Sequence, residues 1–96
     1  MEKRIRQELF DLGIHSNMRG YMYIIEAVKA YEFNVRLDDI YKDIAQKHNT
    51  TRSAIERAIR YAIDSADKNK PVWKKYSSYR NKAFISTLYY SISEDD

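Results

Sequence analysis

Cysteine is absent from the 96 residues, which removes disulfides, thiol nucleophiles and cysteine-ligated zinc from consideration. Glycine occurs twice and proline once. An all-β sandwich or barrel needs turn punctuation roughly every 8 to 12 residues, and Gly13, Gly20 and Pro71 cannot supply it. Long apolar runs are missing as well. The first residues, MEKRIRQELFDLG, lack the roughly seven-residue apolar stretch of a signal peptide, and no segment approaches the roughly 18 apolar residues of a membrane span. This pattern predicts a soluble cytoplasmic protein with no membrane partner. There is no glycine-rich loop to cradle a nucleotide phosphate. His15 and His48 have no second histidine at ligand spacing, so neither a metal nor a cofactor is expected. Asp38, Asp39 and Asp43 are acids on the surface of one predicted helix, with no nucleophile and positioned base beside them, so the chain reads as no enzyme.

What remains is a helical chain of ordinary globular composition, 44% hydrophobic and 32% charged. Its length suits one domain over residues 1–96, large enough to bury roughly 60 to 70% of the unfolded surface. Seventeen basic against 14 acidic residues leave a net charge of only +3, so charge placement is more informative than charge sum.

Apolar residues recur at helical spacing in successive stretches. Ile5, Leu9 and Leu12 predict a helix over 2–12 that stops before Gly13. Tyr21, Ile24, Ile25, Val28 and Tyr31 predict a second from Met18 to Phe33, capped by Asn17. Leu37, Ile40, Tyr41, Ile44 and Ala45 predict a third ending near His48, with Asp38 and Asp39 in its first turn, where acids favour the helix dipole. The strongest stripe is Ile55, Ala58, Ile59, Ala62, Ile63 and Ala66. Residues 68–82 then hold six positive charges and no acid, interleaved with Trp73, Tyr76 and Tyr79, and Pro71 predicts a short helical turn there. A last helix over about 81–92, capped by Asn81, carries Phe84, Ile85, Leu88, Tyr89 and Ile92 on one side.

Residues 41–63, YKDIAQKHNTTRSAIERAIRYAI, have the spacing of a helix-turn-helix within a region of about 37–67. Ala45 is the small residue required where the helices cross, and Asn49 tolerates the positive φ that the turn demands. Thr50 or Thr51 can cap the second helix; Ser53 with Glu56 also fits a capping box but would discard a turn. Away from the apolar stripe this helix, about Thr51 to Ala66, presents Arg52, Ser53, Glu56, Arg57, Arg60 and Tyr61. An arginine fork can grip guanine O6 and N7, and glutamate can accept from cytosine N4, so this face suits a major groove. A merely solvated charged face has the same pattern.

The runs GYMYIIEAV at Gly20–Val28 and DIAQKHNTTRSAIERAIRYAI at Asp43–Ile63, with Leu12–Ile14, Arg19–Tyr23, Asn81, Phe84 and Ile85, resemble the DNA-binding output domain of the stage zero sporulation protein A family, a class of response-regulator output domains from bacteria. The resemblance implies an all-α bundle of about six helices containing a helix-turn-helix, winged-helix-like in class but without an evident wing. Its fourth helix would enter the major groove of double-stranded DNA, and a head-to-tail homodimer would form on tandem sites. Glu56, Arg57 and Arg60 match base-reading positions. Thr50, Thr51 and Ser53 match phosphate-touching positions, as does Arg19 at a helix start, where phosphates bind readily. Ala54 and Tyr61 stand where the family usually has arginine and histidine. Residues 68–82 are shorter and more basic than usual, which nominates Lys74 and Lys75 for phosphate contacts. The chain opens on the output domain with no receiver, and Met1 favours a stand-alone protein. The sporulation regulator resemblance therefore implies transcription regulation. An alternative is a protein–protein interaction module that has lost DNA reading and pairs with a receiver-containing homologue. The aromatic residues of 68–82 could also stack on single-stranded nucleic acid, although their helical spacing favours core positions.

Overall fold

A computed structural model describes residues 1–31 and 35–93. These form five α-helices, α1 (Glu2–Leu12), α2 (Arg19–Ala30), α3 (Leu37–Lys47), α4 (Arg52–Ser65) and α5 (Asn81–Ser93), with a 3₁₀ helix, Pro71–Lys75, between α4 and α5. Instead of about six full helices, the described residues thus contain five and a single 3₁₀ segment. The basic stretch is occupied by side-chain anchors rather than by an extended amphipathic stripe.

α1 buries Ile5, Leu9 and Leu12 and ends as its sequence requires. Gly13 adopts φ 80, its N–H bonds to the Phe10 carbonyl, and the Ile14 N–H reaches back to Leu9 at 2.9 Å. The last carbonyls of the helix are thereby satisfied. α2 departs from expectation at both ends. Met18, extended at φ −83 and ψ 141, precedes it, and no side chain, Asn17 included, caps it. The helix stops at Ala30 because Tyr31 turns extended and places its ring against Tyr89, with centroids 5.0 Å apart, so aromatic packing on α5 replaces another helical turn. Phe33, the expected terminus, lies outside the described residues.

α2 packs against each of the other four α-helices. Its approach to α4 depends on Gly20, which is buried. A Cβ built there would fall inside the Ala58 carbonyl, 2.8 Å from its carbon and closer still to its oxygen.

α3 and α4 are joined by a tight turn. Asn49 takes φ 55, and the Thr50 N–H bonds to Ala45 at 2.9 Å. Thr51 is the cap, its hydroxyl oxygen accepting the Ala54 N–H at 3.1 Å. α4 ends at Ser65, one residue before the expected Ala66. There the Lys68 ammonium donates to the Ile63 and Ala66 carbonyls at 2.6 and 2.9 Å, supplying partners for the open helix end.

Proline at the start of the 3₁₀ helix sets its φ and leads Trp73 into the core. The Trp73 indole donates to the Leu12 carbonyl at 3.0 Å, and its ring contacts Tyr76, Tyr79 and Phe84. Tyr76 stacks on Phe84 and donates to Glu8 at 2.8 Å. Trp73 and Tyr76 are thus core residues. Asn81 begins α5 but turns its amide nitrogen to the Glu56 carbonyl of α4, at 3.0 Å, instead of offering its oxygen to α5. A tertiary acceptor takes the side chain that the sequence assigns to a cap. No helix among the described residues is long and apolar enough to cross a membrane.

Candidate nucleic-acid interface

α4 divides cleanly between its two sides. Ile55, Ile59, Ala62 and Ile63 are buried, whereas Ser53, Arg57, Arg60 and Tyr61 are exposed, with Arg52 and Glu56 half-buried between them. Successive charged residues one turn apart form a chain across the outer surface. Glu56 accepts from Arg52 at 2.8 Å through one carboxylate oxygen and from Arg60 at 2.7 Å through the other. Arg52 also reaches Asp38 of α3 at 3.2 Å. The bond to Glu56 is the main reason the Arg52 guanidinium is held above its ordinary pKa. One carboxylate therefore orders two arginine forks.

Arg57 differs from both. It is exposed and forms no ion pair among the described residues, so its five donors are open to solvent. Tyr61, 70% exposed, stands one turn further along. Beside it, Arg19 and Asn17 at the entry to α2 share a shallow hollow with Ala58 and Tyr61. The structure thus brings Arg19 to the α4 surface across a long sequence separation, through the close approach at Gly20.

Thr51 spends its hydroxyl oxygen on the helix cap, and Thr50 and Ser53 are exposed around the same helix start. The basic segment is split. Lys75 bonds Glu8 of α1 at 2.7 Å and Ser91 of α5 at 2.6 Å, so it is not brought together with the α4 residues. Lys74 is exposed on the 3₁₀ helix. Lys68 serves the α4 terminus. Arg80 and Lys82, in contrast, line a cleft of about 740 Å³ with Arg60, Glu56 and Asp64 of α4. Neither forms an ion pair among the described residues. Sequence reasoning passed over these two cations because six similar charges occupy one segment, and only the fold of the 3₁₀ helix sorts them by direction.

Behind the turn, Glu26 of α2 meets both Lys47, at 2.8 Å, and His48, at 2.5 Å. Burial alone would raise the Glu26 carboxyl, but these two neighbours outweigh it and hold the group below the ordinary carboxylate range. His48 also presents its ring to Tyr23, with centroids 5.1 Å apart. The turn is thereby fastened to α2.

The sequence model of the sporulation initiation factor Spo0A C-terminal family matches residues 5–92. The chain belongs to this family. The match includes all five α-helices apart from the ends of α1 and α5 and covers every residue of the α4 surface. No solved structure matches the chain. Within this Spo0A C-terminal family member, the described residues contain no group of three or more histidine, cysteine or acidic side chains placed to hold a metal ion.

Proposed function

We propose that the chain is a sequence-specific, double-stranded DNA-binding transcriptional regulator in which α3, the Asn49 turn and α4 act as a helix-turn-helix. The observation that carries this reading is the unpaired Arg57 at the middle of the outer α4 surface, flanked by Arg52 and Arg60 on a shared carboxylate. A helix of this width fits a major groove, and a free guanidinium there can take a guanine edge through two parallel bonds. Arg60 and Glu56 read neighbouring bases as a pair, the carboxylate keeping the fork oriented. Thr50, Ser53 and Arg19 face the sugar-phosphate backbone, with Arg80 and Lys82 as further phosphate contacts. Family membership supports the same reading, since the matched region belongs to a sporulation initiation factor. The family resemblance adds head-to-tail occupation of tandem boxes, in which a second copy would supplement the modest contact area of one domain.

Selection of bound duplexes from a randomised pool, by the wild type and by Arg57→Ala at two salt concentrations, tests the proposal. One enriched short box is expected, with Arg57→Ala losing about 1 to 3 kcal/mol on that box and relaxing one position within it. Salt-sensitive retention of all duplexes without enrichment would instead indicate a nonspecific binder. No retention of any duplex would return the fold to an interaction role.

A further inference from the structure

Two buried side-chain atoms among the described residues have no hydrogen-bond partner, the Tyr41 hydroxyl and Asn81 Oδ1. They belong to one junction. Asn81 starts α5, Tyr41 lies on the inner side of α3, and both line the cleft that α4 closes on its other side. The orientation of the Asn81 amide is fixed by chemistry: its nitrogen faces the Glu56 carbonyl at 3.0 Å, where an oxygen would meet another acceptor. Its Oδ1 must therefore point the other way. The Asn81 side chain lies close enough to Tyr41 to act on the phenol against the larger effect of burial.

The acceptor that Asn81 holds is the main chain of α4 at the residue whose carboxylate orders Arg52 and Arg60. Two residues along, the Ala58 carbonyl abuts Gly20 of α2. α4 is thus gripped by its backbone from α5 and from α2. A contact made to main-chain atoms fixes both translation along a helix and rotation about it, whereas apolar side chains can repack and let a helix slide by fractions of an ångström. Base reading needs that precision, because a bidentate fork has a narrow geometric tolerance.

We propose that Asn81 is a positioning residue for DNA reading, setting the rotation of α4 through the Glu56 carbonyl while Tyr41 closes the junction from α3. The inference rests on the DNA-reading function proposed above. Asn81→Asp keeps the shape and removes the donor; Asn81→Ala removes both. The test measures the affinity of the full chain for the selected box and for a scrambled duplex of equal length and salt, together with amide hydrogen exchange along α4 without DNA.

With the variants folded, the ratio of box to scrambled affinity falls about tenfold or more. Scrambled-duplex affinity stays within about twofold for Asn81→Ala, and exchange rises at Arg60, whose amide shares the Glu56 carbonyl. An unchanged ratio in either folded variant, or unchanged α4 exchange, overturns the role of Asn81. If Asn81→Ala does not fold, Asn81→Asp decides by the same two readings. A wild type that shows no box preference overturns the DNA-reading function, and the inference with it, a failure distinguishable by occurring before any variant is compared.

Discussion

Gly20 has an ordinary helical backbone, and its importance lies in the missing methyl group. Because a Cβ would enter the Ala58 carbonyl, Gly20→Ala must push α2 away from α4, and neither main chain can yield alone. The substitution is expected to cost about 3 kcal/mol, at the upper end of overpacking, despite alanine's better helix propensity. A urea midpoint unchanged or raised in Gly20→Ala would show that the helices separate freely. Thr51→Ala removes a cap and should cost about 1 kcal/mol, while Ser53→Ala, whose hydroxyl caps nothing, should leave stability unchanged by the same measurement. The turn was readable in the sequence for a local reason: the Asn49 φ and the Thr51 cap involve only near neighbours in the chain. Asn17 and Asn81 have equally good cap chemistry but do not cap. For Asn81 the deciding partner lies 25 residues away on α4, beyond anything a short pattern encodes.

At the level of elements, periodicity revealed the five α-helices to within a few residues, because each buries one stripe against a common core. In the stretch between α4 and α5 the short helical turn at Pro71 was readable, but the directions of its cations were not. Its alternating lysines and aromatics resemble a stacking surface for nucleic acid, yet Trp73 and Tyr76 enter the core through bonds to Leu12 and Glu8 of α1. Once those anchors fix the 3₁₀ helix, the cations diverge. Lys75 turns to α1 and α5, and Arg80 and Lys82 turn to α4. This division predicts different salt responses. Each phosphate contact contributes about 0.9 to the slope of log affinity against log salt, so Arg80→Ala with Lys82→Ala should reduce that slope by about 2. Lys74→Ala with Lys75→Ala should leave it unchanged. Fluorescence anisotropy of a labelled duplex over a salt series measures both, and equal reductions in the two double variants would mean that the segment acts as an undivided basic patch.

Across the whole molecule, the ionisable groups that fasten helices to one another define a pH range of stability. On the acid side Glu26, held below its unfolded value by Lys47 and His48 against the cost of burial, contributes above about pH 4.3, and that contribution disappears as pH falls through the lower folded value. The alkaline side belongs to two buried phenols. Burial pushes Tyr41 up to about 12, with the charge of Glu56 adding and Asn81 opposing. Tyr76 is raised first by burial and then by the charge of Glu8 and the bond it donates to that carboxylate. A raised phenol contributes its full stability below the unfolded value near 10, where it is protonated in both states. Above about pH 10 the unfolded chain loses the proton first, so stability falls until the folded pKa is passed. For Tyr41 the difference of about two pH units corresponds to about 3 kcal/mol. Urea midpoints should therefore hold level from pH 7 to about 10 and then decline steeply. Tyr41→Phe keeps the ring, removes an unpartnered buried hydroxyl and should make that decline shallower, leaving the part due to Tyr76; the same slope in wild type and variant would mean that the Tyr41 phenol gains access to water before it ionises. The α3 to α5 junction that bears on α4 is then, beside Tyr76, one of two points at which the fold yields to base, because the burial that holds Tyr41 in place is what makes its ionisation costly.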